Sequence, residues 1–289
     1  MYAIIGVTGH VGGGIARNLL AAGLPVRAIL RNEAKAKEWQ DNGATVAFAE
    51  LTDALALENA FAGTEGVFIM TPPLGHSTNP MADHDKMLQA ISTAIEKAKP
   101  KKVVYLSSIG AQHAEGTGAI KKLHDLEQTF HKLTVPATAI RAGWFMENFS
   151  GSLNYASETG YLPSFINPAN YEIPMVAAKD ISLLATEILQ EEWNGHRLIE
   201  LEGPCRYSTD NVAAIFSHLL KKDITAVVIP EEKYEDTYLQ FGLTAQGAAL
   251  MAEMITGFNT KKIVFEEGGI THKTGRTLLE DALKTYLPA

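Results

Sequence analysis

Cysteine is nearly absent from this chain, and Cys205 is the only one. Disulfides within the chain and thiolate metal clusters are thereby excluded, and a reducing cytoplasm fits. The histidines, including His84 between Asp83 and Asp85, form no metal-ligand spacing, so no metal is expected. Basic charge is also scarce. Net charge is -8, and the one dense group of lysines, Lys99, Lys101 and Lys102 around Pro100, reads as a solvated loop, which argues against nucleic acid. No apolar run reaches membrane-spanning length, and the first strand begins at residue 2, so neither a membrane span nor a signal peptide is expected. Two catalytic devices are missing as well. None of the nine tyrosines has Lys four residues later, which removes the phenol and ammonium pair of ordinary alcohol dehydrogenation and of sugar-nucleotide epimerisation. Leu106 precedes Ser107, so no hydrolase nucleophile elbow forms.

What is present begins at the N-terminus. Tyr2 to Ile5 is a short apolar strand, and Ile15, Leu19 and Leu20 give the following segment one apolar helical face. Between them lie Gly6, Gly9 and Gly12. In a strand, turn and helix of this kind the first glycine permits the turn, the second lets backbone N–H groups approach a pyrophosphate, and the third lets helix and strand pack closely. The helix N-terminus then faces the anion. The second strand, Val26 to Leu30, ends at Arg31, where NAD binders carry an acidic residue. A guanidinium holds a 2′-phosphate that a carboxylate would repel, so the expected cofactor is NADP(H). Lys35 and Lys37 follow one turn later as further candidate cations.

Strands and helices alternate through the first half, with further strands at Ala44 to Phe48, Gly66 to Met70, Val103 to Leu106 and Ala137 to Ile140. This is the pattern of an α/β, Rossmann-type doubly wound parallel sheet. Ligands in such sheets lie beyond the carboxyl ends of the strands, so Thr71, Pro72, Ser107, Ser108 and Arg141 to Phe145 are expected to line one crevice. After about residue 149 the alternation stops. Residues 1–150 read as the NADP-binding domain and 151–289 as a smaller α/β substrate lobe, packed on the first without a flexible linker. In that half a helix from Asp180 to Leu189, a strand from Arg197 to Leu201, a helix capped by Ser208 and a strand over Val227 to Pro230 are expected.

Several segments together, Gly6 to Gly12, Arg31-Asn32, Leu51-Thr52-Asp53, Phe68 to Pro73, Leu106 to Ala111 and Arg141 to Asn148, resemble the NmrA-like group of atypical short-chain dehydrogenases. The resemblance spans nearly the whole chain. It implies an NADP(H) site in which Gly6, Thr8, Gly9, His10, Val11, Gly12 and Arg31 meet the phosphates. Leu51 would lie near the adenine, Thr71 and Pro72 near the ribose, and Ser107 and Trp144 near the nicotinamide end. It also implies a reductase of quinone-like or azo acceptors or, alternatively, a regulator that senses NADP(H) without turnover and answers to a protein partner. A homodimer is compatible with either.

Where the missing lysine would have stood, the chain offers Lys121, Lys122 and His124. His124 reads either as a proton donor or ribose ligand facing the crevice, or as a surface histidine beside Asp125 and Glu127. Lys121 and Lys122 read as solvated helix charges. Ser107 is the second candidate catalytic residue, against a plainer role in satisfying the backbone at the strand end. Aromatic residues for a planar acceptor, among them Trp144, Phe145, Phe149, Tyr155, Tyr161 and Phe165, cluster in and after the last of these segments.

Overall fold

A computed structural model describes residues 1–287. The first half builds β1 (Tyr2–Ile4), α1 (His10–Ala21), β2 (Val26–Leu30), α2 (Ala36–Asp41), β3 (Thr45–Phe48), α3 (Ala54–Phe61), β4 (Gly66–Ile69), α4 (Pro80–Ala98), β5 (Val103–Ser108), α5 (Lys121–Phe130) and β6 (Ala137–Ala142). The second adds β7 (Trp144–Phe145), α6 (Leu153–Thr159), β8 (Tyr161–Ser164), β9 (Ile173–Val176), α7 (Ala178–Gln190), β10 (His196–Glu202), β11 (Arg206–Tyr207), α8 (Thr209–Leu220), β12 (Thr225–Val228), α9 (Tyr234–Gln240), α10 (Ala245–Asn259), β13 (Thr271–Thr274) and α11 (Leu279–Lys284).

Eight parallel strands form the main sheet in the order β3-β2-β1-β4-β5-β6-β10-β13. This is the Rossmann-type α/β fold. Its central strands are apolar on both faces: Ala3 and Ile4, Val67 to Ile69 and Val103 and Val104 are fully buried. One face is covered by α1 and α7, the other by α3, α4 and α5. Local signals set several helix starts. Asp53 accepts from the amides of Leu55 and Ala56 at the head of α3, and Ser208 and Asn211 close a reciprocal capping box on α8. α7 begins without a side-chain cap and carries Asp180 in its first turn. Ala177 occupies the cap position, and Asp180 instead accepts from the amides of Arg276 and Thr277 and from the Thr277 hydroxyl.

The main sheet draws strands from both sides of residue 150. Strands β10 and β13 extend it, and α7 packs along α1, where a Cβ on Gly14 would collide with the Ser182 side chain. Ser182 Oγ also donates to the Val11 carbonyl at 3.0 Å. The second half thus completes one face of the nucleotide-binding sheet, whose apolar surface would otherwise be wet. The rest of that half gathers around Met146, Leu162, Met175, Phe216 and Phe258 in a core of its own above the strand ends, with two short sheets, β11-β9-β7 and β12-β8. Among the described residues no helix is long and apolar enough to cross a membrane.

Candidate active site

The strand order reverses between β1 and β4, and a crevice at the carboxyl ends of the strands opens there. Immediately after β1 the chain turns at Gly6, whose φ of 76° lies in the left-handed region. A Cβ at Gly12 would lie 2.5 Å from backbone atoms of Ile5 and Gly6, so the first turn of α1 is pressed directly against the end of β1. Gly13 N–H donates to the Gly9 carbonyl at 3.0 Å, the first rung of the helical ladder. The amides of His10, Val11 and Gly12 precede that rung. No side chain caps them and no acidic residue stands in the first turn. That helix end is left to an anion.

A groove of about 570 Å³ runs from this turn across the ends of β2 and β3. Gly6, Thr8, Gly9, Arg31, Leu51 and Pro72 line it, together with Asn32 and Lys35. Arg31 is exposed at the end of β2 and, among the described residues, makes no ion pair. Lys35 pairs with Glu38 at 3.1 Å while still lining the groove; Lys37 pairs with Asp41 at 2.7 Å and does not line it. The His10 ring is exposed, lies edge-on to Tyr286 with centroids 5.7 Å apart, and does not line the groove. The cradle, the open amides and the unpaired arginine fit a dinucleotide carrying an extra phosphate.

A second, inner cavity of about 620 Å³ joins the groove at Met70 and Pro73. Thr71, Ser107, Lys122 and Trp144 line it, and its walls are mostly apolar, with Phe149, Phe165, Tyr238 and Met254 among them. Phe165 stacks on Tyr238 at 4.6 Å, and Trp144 packs edge-on against Phe258 at 5.4 Å. Two buried polar atoms of this lining, Thr71 Oγ1 and Trp144 Nε1, have no protein partner. Buried polar atoms are ordinarily satisfied, so both await a ligand atom or water.

The two catalytic candidates from the sequence change their meaning here. His124 lines neither cavity, and its Nδ1 donates to the Ala111 carbonyl at 2.9 Å. Residues two apart on a helix point about 200° apart, so the turn that aims Lys122 inward aims His124 away. Of the two, Lys122 is the side chain that lines the inner cavity. Its Nζ donates to the Pro72 carbonyl at 3.0 Å, and burial lowers its pKa to about 8. Lys121 remains a surface charge paired with Asp125 at 2.7 Å. Next to Lys122, His84 is wholly buried with both ring nitrogens unpartnered; burial first, and the Lys122 charge second, lower its pKa.

Ser107 does line the inner cavity, but its hydroxyl donates to Glu127. Glu127 is held in turn by Arg141 through two bonds, 2.9 and 2.7 Å, and Arg141 also meets Glu266 and lies 3.8 Å from Glu200. With its proton committed to a carboxylate, Ser107 offers the cavity lone pairs and no proton. Arg141, expected in the crevice, is instead buried behind it as the clamp of this cluster. Nothing local marks Arg141, Glu127, Glu200 and Glu266 as partners, because they meet only where α5, β6, β10 and the segment before β13 come together. Lys122 was visible but indistinguishable from Lys121 without knowing which face of α5 turns inward.

A dinucleotide-binding cradle with an aromatic cavity at its inner end defines a Rossmann oxidoreductase-type site. The chain belongs to the NmrA-like family, which it matches over residues 2–276. It is 27% identical over 255 residues to an NAD(P)H azoreductase of Xenophilus azovorans, covering 88% of this chain and 86% of that one. It is 25% identical over 260 residues to quinone oxidoreductase 2 of Escherichia coli, covering 89% and 87%. Among solved structures, the Escherichia coli NADPH-dependent quinone oxidoreductase in complex with NADPH superposes with a TM-score of 0.81 at 22% identity, covering 99% of both chains. A triphenylmethane reductase from Citrobacter superposes at 0.79 with 20% identity, covering 99% of this chain and 98% of that one.

Proposed function

We propose that this protein, an NAD(P)H-dependent oxidoreductase that takes NADP(H), reduces a flat, electron-poor acceptor of the quinone or azo class bound in the inner cavity. The observation that carries the acceptor class is the cavity's lining: aromatic and apolar walls, one ammonium and no carboxylate. Such walls suit a planar conjugated molecule and exclude water from it. When bound, the reduced nicotinamide supplies a hydride, and two electrons entering a quinone or azo group leave an anion that needs a proton.

Lys122 is the group that can supply it. Its Nζ is fixed by the Pro72 carbonyl at the cavity wall, and burial places its proton affinity near neutrality. Ser107 orients by accepting from an N–H or O–H of what binds, since Glu127 holds its own proton. Arg31 selects the phosphorylated cofactor, and His10 to Gly12 present the open helix end to the pyrophosphate.

The test is NADPH oxidation followed at about 340 nm against a panel of quinones and azo dyes, with NADPH and NADH binding titrated alongside. Acceptor-dependent oxidation with preference for NADPH is expected. Tight NADPH binding without turnover on any acceptor would overturn the reading and leave a sensor of NADP(H) in its place.

A further inference from the structure

Beyond the inner cavity lies a third one, of about 560 Å³, that takes no part in the chemistry above. Its floor is the ribbon formed by β8 and β12. The parallel register pairs Tyr161 with Thr225, Leu162 with Ala226, Pro163 with Val227 and Ser164 with Val228. Alternation sends Leu162, Ala226, Ser164 and Val228 to the core and Tyr161, Pro163, Thr225 and Val227 outward. A ribbon covered on one side only should be polar on the other. Here, Thr225 at the ribbon's end apart, the outer face is apolar: Tyr161 is 54% exposed and Val227 46%, and Ile229 continues the same side. Tyr155 of α6, 51% exposed, and Thr237, Gln240 and Phe241 at the end of α9 complete the walls.

This outer cavity is continuous with the inner one. Ser152, Pro163 and Phe241 line both, and Phe241, 58% exposed, stands edge-on to Phe165 and Tyr238 at 6.4 and 6.3 Å as the lip between them. We propose that the outer cavity is an acceptor subsite that takes an apolar substituent, an alkyl chain carried by the ring bound in the inner cavity. The inference rests on the reading of the inner cavity as the acceptor site. It accounts for an apolar strand face left open to solvent at the mouth of that cavity, and it makes an elongated, apolar-tailed quinone a better substrate than a bare ring.

The test is steady-state reduction by NADPH of 2,3-dimethoxy-5-methyl-1,4-benzoquinone and of the same ring bearing propyl, pentyl or decyl at position 6. KM is expected to fall about fourfold for each methylene that is buried, then to level off once the cavity is filled. Val227→Lys, whose side chain lines the outer cavity alone, is expected to abolish this dependence while leaving the KM for the unsubstituted ring unchanged; Tyr155→Lys on α6 is the second variant should β12 not tolerate the first. Reduction of the bare ring with a KM indifferent to chain length would overturn the subsite and leave the acceptor reading standing. Failure of every ring and of the azo dyes to be reduced would overturn both, and reduction of the azo dyes alone would overturn the subsite and leave the acceptor reading standing. If Val227→Lys shifts the sedimentation coefficient and leaves the chain-length dependence intact, the face is covered by a second copy of the chain and the subsite falls.

Discussion

Replacing Lys122 with Met tests the chemistry most directly, because it removes a charge and a proton while keeping the length and the apolar stem. Burial lowers the Lys122 pKa from its ordinary 10.5 to about 8. At pH 7 about nine-tenths of the molecules therefore carry the donor proton, and at pH 9 about one-tenth. For an acceptor whose reduction waits on that proton, kcat should be level below pH 7 and fall toward tenfold per unit above about pH 8. The Met variant should lose about 10²-fold in kcat at pH 7, the lower range for a general acid whose place water can partly take. Stability moves the other way. The unfolded chain keeps this lysine protonated up to about pH 10.4, while the folded one releases the proton near 8, so between those values the unfolded state binds more protons and stability rises with pH. Below that window the buried charge costs stability in full, and Lys122→Met should raise the melting temperature at pH 7 and remove this part of the rise. Stopped-flow NADPH oxidation and calorimetric melts across pH 6 to 10 measure both. A wild-type kcat that passes through pH 8 unchanged, or a Met variant with undiminished kcat, refutes Lys122 as the donor.

Arg31→Asp removes a charge-assisted pair with a phosphate and adds repulsion, about 3 kcal/mol in all, so the NADPH Kd should rise by about 10² with NADH nearly unaffected; equal weakening of both would show that Arg31 does not read the 2′-phosphate. Gly12→Ala drives a methyl to 2.5 Å from backbone of Ile5 and Gly6 and should cost about 1–3 kcal/mol of stability as well as cofactor affinity, measured by denaturant titration and calorimetry. Glu127→Ala strips the bidentate partner from buried Arg141 and should destabilise the fold by about 3 kcal/mol, while freeing the Ser107 hydroxyl to donate; a melting curve like the wild type's would argue that Glu266 and Glu200 suffice. Ser208→Ala opens the capping box of α8 and should cost about 1 kcal/mol without touching KM.

The alternation of strand and helix, the glycine turn and Arg31 were legible because each is a local event: a period of 2 or 3.6, a φ only glycine accepts readily, a charge at the end of a strand. The sequence by itself therefore determined the Rossmann-type sheet, the glycine turn after β1 and the position of Arg31 at the end of β2. It did not show β13, whose Thr271-His272-Lys273-Thr274 carries no apolar pattern and is a strand only because the edge of β10 is free to pair with it. Nor did it show that α7 closes the first half's face, since the Gly14 and Ser182 contact joins residues 168 positions apart. The tertiary structure alone decided which of three neighbouring polar residues on α5 enters the cavity, because a helix shows its full circumference in sequence and only packing chooses a side. It also decided that Ser107 donates to Glu127 and that Arg141 clamps that carboxylate, since a hydroxyl's direction and a guanidinium's partners depend on carboxylates brought from α5, β10 and the segment before β13 by the sheet itself.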